Sequence, residues 1–209
     1  MKTILKAYIL IFAFVIGGGF VLHKAESMEM EPLFKAGDII FISNESGQGK
    51  AIQLATKSKY THVGVILNDG GKLVVFHAVE PVKKNTIQEF IKYSADGTYD
   101  LMRLKDPALL DAAALEKMTS EASKLLGTHY DLAFSWDDKE LYCSEYVWKL
   151  YKHATGLEVG KLKPLGSFDL SSPVVKRKLE ERYGKNIPLT ENMISPGDMH
   201  DSELLMKVH

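Results

Sequence analysis

A chain of 209 residues, 45% hydrophobic and 25% charged, is long enough for one domain with a real core and too short for two ordinary ones. A net charge of -1, with no basic stripe, argues against a nucleic-acid partner. The single cysteine, Cys143, excludes an intrachain disulfide framework, a zinc ribbon and a redox dithiol.

At the N-terminus, Lys2 and Lys6 precede an apolar run from Ala7 to Leu22, interrupted only by Gly17 to Gly19. This is the order of a secretory signal. The run is shorter than the roughly 20 residues that span a bilayer comfortably, and His23-Lys24-Ala25-Glu26 is a poor small-x-small cleavage site. A cleaved signal and an uncleaved membrane anchor therefore both stay open for residues 1–25, and either predicts a periplasmic or envelope-associated protein. No lipobox cysteine follows the run, so a lipoprotein is not expected. Residues 26–36 read as a polar linker and 37–209 as one domain.

Within that domain, Ile39-Ile40-Phe41-Ile42 reads as a first strand, too short for a helix and rich in β-branched residues. Ser46 to Gly49 carries turn residues, and Lys50 to Lys59 suits a short helix. Two strands follow, His62 to Leu67 and Leu73 to Val79, around the turn Asn68-Asp69-Gly70-Gly71, a strong hairpin signal. A short helix is predicted over 86–93 and a strand over 99–104. Pro107 opens a longer predicted helix to about Leu126, with Leu109, Leu110, Ala113, Leu115, Met118, Ala122 and Leu125 on its apolar face and Gly127 as its stop. An aromatic, acidic segment leads into a helix from Cys143 to about His153. A last helix from Ser172 to Tyr183, then Pro188 and Pro196, reads as an extension wrapping the domain.

Cys143 lies in Leu141-Tyr142-Cys143-Ser144-Glu145, at the start of a predicted helix. The partial positive charge there favours thiolate over thiol and can hold an oxyanion, although a lone cysteine is more often a buried apolar side chain. The hairpin brings His62 and His77 together. A two-residue loop at Asp69-Gly70 sets them directly opposite, whereas a loop at Gly70-Gly71 sets His62 opposite Val79 with His77 on the diagonal. A strand-borne imidazole facing a helix-borne thiol, oriented by a third polar group, is the arrangement of nucleophilic catalysis. Two histidines and a cysteine also number enough for a three-ligand zinc site, but nothing else supplies the ligand spacing of common zinc enzymes. No metal or cofactor is expected. Lys50 after Gly47-Gln48-Gly49 lacks the spacing of a phosphate loop. His129 is assigned to a surface turn, Asp131 to anchoring the loop before Cys143, and Glu145 to structure or a cleft charge. Glu80 is the alternative orienter of His62.

Taken together, Gly37-Asp38-Ile39-Ile40-Phe41, Lys50 to Thr56, Tyr60-Thr61-His62-Val63-Gly64, Val75-Phe76-His77-Ala78-Val79-Glu80-Pro81-Val82, Tyr142-Cys143-Ser144-Glu145 and Arg182 to Leu189 resemble the YiiX/YebB-like cysteine hydrolases of the NlpC superfamily. The resemblance spans about Gly37 to Pro196. It implies an α+β, circularly permuted papain-like fold, an antiparallel sheet packed against helices, and it explains why both histidines precede the cysteine. It implies Cys143 as nucleophile, His62 as general base and His77 at the third polar position, which some relatives fill with Glu. The expected activity is an exported thiol hydrolase cleaving an amide or ester of a peptide or lipid-type acyl substrate. The alternative is a binding protein that keeps the cleft without turnover.

Overall fold

The computed structural model describes residues 33–209; the expected signal or anchor and most of the linker lie outside them. Among the described residues no helix is long and apolar enough to cross a membrane.

Strand β1 (Ile39–Ile42) is fully buried, as its unbroken apolar sequence requires. It lies between β2 (His62–Asp69) and β5 (Asp100–Leu104). With β3 (Lys72–His77), β4 (Lys83–Asn85) and, later in the chain, β8 (Leu205–Lys207), these form a six-stranded sheet ordered β4-β3-β2-β1-β5-β8. Every pairing in it is antiparallel. The alternation along β2 separates two apolar layers. Val63, Val65 and Leu67 join one cluster with Phe76, Tyr142, Cys143 and Tyr146, while Ile66 joins Ile40, Ile42, Val75 and Phe90 in the other.

Helix α4 (Cys143–Thr155) carries Tyr146, Val147, Leu150 and Tyr151 into the first layer, where α3 (Ala112–Lys124) adds Met118 and Ala122. The short α2 (Ile87–Ile91) covers the second. It approaches so closely that a Cβ on Gly64 would lie 2.5 Å from Val75 Cγ1 and 3.1 Å from Phe90 Cε2. A third cluster, Leu165, Val175 and Leu179, joins α5 (Pro173–Tyr183) to α1 (Gly47–Thr56) through Leu54 and Ala55. Two small elements complete the C-terminal part: a two-stranded pair, β6 (Lys163–Pro164) with β7 (Asn192–Met193), and α6 (Pro196–His200).

Two expectations need correction, and one open alternative is decided. The helix expected from Pro107 is broken: Pro107–Leu109 is a 3-10 turn, and Asp111, whose carboxylate accepts from Ala114 N at 2.8 Å, caps a helix that begins only at Ala112. The helix expected over Lys50–Lys59 starts earlier, at Gly47, because Ser46 Oγ accepts from Gly49 N and caps it there. The hairpin loop is Gly70-Gly71, since Asp69 pairs with Lys72 and Val65 with Phe76. Gly70 and Gly71 both have positive φ, the backbone that a two-residue loop of this kind demands.

Candidate active site

In that register His62 and His77 point to the same face of the sheet, and His62 Nε2 lies 2.9 Å from His77 Nδ1. His77 Nε2 in turn lies 2.8 Å from Asn85 Oδ1, on β4. Asn85 is oriented by α2: its Nδ2 donates to Glu89 Oε2 at 3.3 Å, and the same oxygen accepts from Thr86 N at 2.9 Å in the capping box that starts the helix. The chain of donors then has one solution. Because Asn85 Oδ1 can only accept, His77 Nε2 carries a proton and its Nδ1 is a lone pair. His62 Nε2 therefore donates, and His62 Nδ1 is left as the basic nitrogen.

Both rings are buried and pack against Phe90 and Tyr93. Burial holds His62 well below the usual imidazole range, and the neighbouring His77 pushes it the same way. Burial likewise lowers His77 to about 4, against the pull of the Asn85 hydrogen bond. Both are neutral imidazoles near pH 7.

Cys143 is the first residue of α4 and is buried. Burial pushes its thiol up to about 11, although hydrogen bonds from the backbone N–H groups of Val63 and Ser144 and from the Tyr130 hydroxyl pull the other way. This corrects the expectation of a resting thiolate: desolvation outweighs the helix terminus. Val63 follows His62 directly and lies beyond the last paired rung of β2 and β3, so the sulfur sits against backbone next to the histidine. The His62 ring itself stacks on Phe90 of the other layer, and no hydrogen bond among the described residues joins it to the thiol.

A second chain of hydrogen bonds reaches the sulfur from the opposite direction. Arg182 on α5 donates to Gln48 Oε1 at 3.2 Å, which turns Gln48 Nε2 toward the Tyr130 hydroxyl at 2.9 Å. Tyr130 accepts from Gln48 and so donates to Cys143. Burial holds the Tyr130 phenol well above its ordinary value, so it remains a donor. The sequence singled out neither Tyr130 nor Asn85, and the Gly47-Gln48-Gly49 segment drew notice only as a poor imitation of a phosphate loop.

The other candidates fall where they do no chemistry on the thiol. Glu80 is exposed and accepts from His129 Nδ1 and Tyr130 N, both at 2.8 Å, so it does not orient His62. Asp131 is buried and holds the loop before α4, its carboxylate accepting from Ala133 N at 2.6 Å and its N–H donating to Leu141 O at 3.2 Å. Glu145 is structural: it accepts from Tyr142 N at 3.2 Å and pairs with Lys149 at 2.8 Å.

A helix-borne cysteine packed on an antiparallel sheet, behind two strand-borne histidines that precede it in the chain, is the arrangement of a papain-like fold with permuted order. Residues 34–209 match the family model of the permuted papain-like amidase enzymes, the YaeF/YiiX, C92 peptidase family, and the chain belongs to that family. It is 44% identical over 174 residues to the uncharacterized protein YiiX of Escherichia coli K12, covering 83% of this chain and 85% of that protein. The crystal structure of YiiX from Escherichia coli O157:H7 superposes with a TM-score of 0.79 at 44% identity, over 84% of this chain and 96% of the other.

That relative is described as a metalloprotein. Here the facing nitrogens of His62 and His77 are hydrogen-bonded to each other. Among the described residues, no group of three or more His, Cys, Asp or Glu side chains is arranged to hold a metal ion. The side chains of this site, as they stand, do not fit one.

Proposed function

We propose that the chain is a thiol hydrolase that cleaves an amide or ester through an acyl-enzyme on Cys143. The observation that supports this reading is membership of the permuted papain-like amidase family, together with a hydrogen-bonded His62–His77–Asn85 chain that leaves His62 Nδ1 unprotonated on the residue next to Val63, whose N–H meets the thiol. The reading requires Sγ and Nδ1 to approach during the reaction. Thiol and imidazole rest neutral, so the proton leaves the sulfur as the carbonyl is attacked rather than beforehand. His62 Nδ1 takes that proton and gives it to the leaving group. His77 holds His62 through Nε2 and, through Asn85, keeps it in the basic tautomer. The Tyr130 hydroxyl and the N–H of Cys143 at the α4 terminus are the donors for the developing oxyanion. The apolar N-terminal run supports export to the envelope.

The burial of Cys143 is what a non-catalytic binding protein with the same cleft would also display. The two readings separate on purified Cys143→Ala and His62→Ala proteins, checked for folding by circular dichroism and assayed with p-nitrophenyl butyrate. Loss of at least a thousandfold in both is expected for the enzyme. Undiminished turnover in Cys143→Ala, or none in the parent protein, contradicts it.

A further inference from the structure

Two cavities of different chemistry lie near the thiol, one with Cys143 in its wall and one beside Tyr130. The first is an open cavity of about 100 Å³, with an otherwise overwhelmingly apolar lining that includes Ile52 and Ala55 of α1, Leu165, and Val175 and Leu179 of α5. Its polar wall groups are committed elsewhere: Gln48 to Tyr130 and Arg182, and Lys178 to Glu181 at 2.5 Å. The second is an open groove of about 500 Å³ whose lining includes the polar groups of Glu80, His129, Tyr130 and Glu140 beside Leu132 and Ala133. Arg182 belongs to both walls, and the Tyr130–Cys143 hydrogen bond links the two.

We propose that the apolar cavity is the acyl site and that the substrate is an amphiphile: an apolar acyl chain in amide or ester linkage to a polar leaving group that lies in the groove beside Glu80 and His129. The proposal rests on the thiol-hydrolase reading. A peptidyl acyl group fits poorly, because most of its backbone N–H and C=O groups would face apolar side chains and lose their hydration uncompensated. A hydrocarbon chain loses nothing there, and each methylene moved out of water favours binding about fourfold.

In the reaction, the Cys143 thiol proton passes to His62 Nδ1 as sulfur bonds to the acyl carbon. The bond from that carbon to the leaving oxygen or nitrogen breaks, and the leaving group departs with the proton from His62. Water then attacks the thioester, losing a proton to His62. The carbon–sulfur bond breaks, and the sulfur recovers the proton as the carboxylic acid is released.

The test is kcat/KM of the full chain for p-nitrophenyl acetate, butyrate, hexanoate and octanoate, in which only the acyl group varies, with intact-mass detection of the adduct on Cys143. The expected result is a rise with chain length that approaches about fourfold per methylene. In Ala55→Phe, which fills the cavity from α1, the octanoate-to-acetate ratio falls at least tenfold. That ratio is independent of the fraction folded, so an unstable variant cannot imitate the effect. Acylation of Cys143 with no dependence on chain length, or an unchanged ratio in Ala55→Phe, overturns the acyl site while leaving the thiol hydrolase standing. No acylation by any ester overturns both.

Discussion

Asn85 touches neither the thiol nor a substrate, yet the protonation pattern of both histidines runs back to its carbonyl and, through Glu89, to the cap of α2. It is a positioning residue. In Asn85→Ala, His77 has no acceptor at Nε2, so its tautomer, and that of His62 with it, is no longer fixed. With a p-nitrophenyl ester, kcat should fall about fivefold with KM little changed, the loss of one neutral hydrogen bond worth about 1 kcal/mol felt in the chemical step. A raised KM with undiminished kcat would show that Asn85 serves binding or folding instead. That Cys143 opens a helix and that His62 and His77 meet were legible in the sequence, because a helix start and a Gly-containing hairpin are local signals. Asn85 was not, since it lies in Lys83-Lys84-Asn85, three polar residues without periodicity. Tyr130 and Gln48 meet at 82 residues' separation, which no local pattern encodes.

The elements followed their sequence signals where burial and capping agreed and departed where they competed. β1 was legible from four consecutive apolar residues, and α4 from its apolar face. The register of the hairpin was not, because Asp69-Gly70 and Gly70-Gly71 both satisfy a tight turn; pairing of Val65 with Phe76 decides it. Leu109 and Leu110 continue the helical period of α3 toward the N-terminus, but the Asp111 cap makes the helix begin only after them. The sheet is also pinned by one charged pair. Arg103 of β5 donates Nε and Nη2 to the two carboxylate oxygens of buried Asp38, at 2.7 and 2.8 Å. Arg103→Ala leaves that carboxylate without its charged partner and should cost about 3 kcal/mol in urea unfolding. A cost below about 1 kcal/mol would mean that Lys35 N, which also donates to Asp38 at 2.8 Å, suffices.

For the molecule as a whole, two neutral histidines inside a sheet make stability depend on pH. The folded value for His77 is about 4 against 6.5 for the free side chain. Between these limits the unfolded chain binds more protons, so stability rises with pH and is lost as pH falls from about 6.5 to 4. For His77 the change is about 3 kcal/mol. Glu145, pushed by burial up to about 7, acts in the opposite sense but is common to parent and variant. The stability of the parent relative to His77→Gln should therefore decline by about 3 kcal/mol over this window; a constant difference would mean that folding leaves the proton affinity of His77 unchanged. The permuted order also explains a site that looks reversed along the chain: β2 and β3 complete the histidine wall before α4 arrives with the thiol.

The central claim is that Cys143 carries the acyl group, and intact-mass spectrometry of enzyme quenched during turnover of p-nitrophenyl octanoate tests it most directly. The account predicts a mass increase of one octanoyl group, mapped to Cys143, absent from Cys143→Ala and greatly diminished in His62→Ala. Turnover with no adduct on Cys143, or an adduct that persists undiminished in Cys143→Ala, would contradict it.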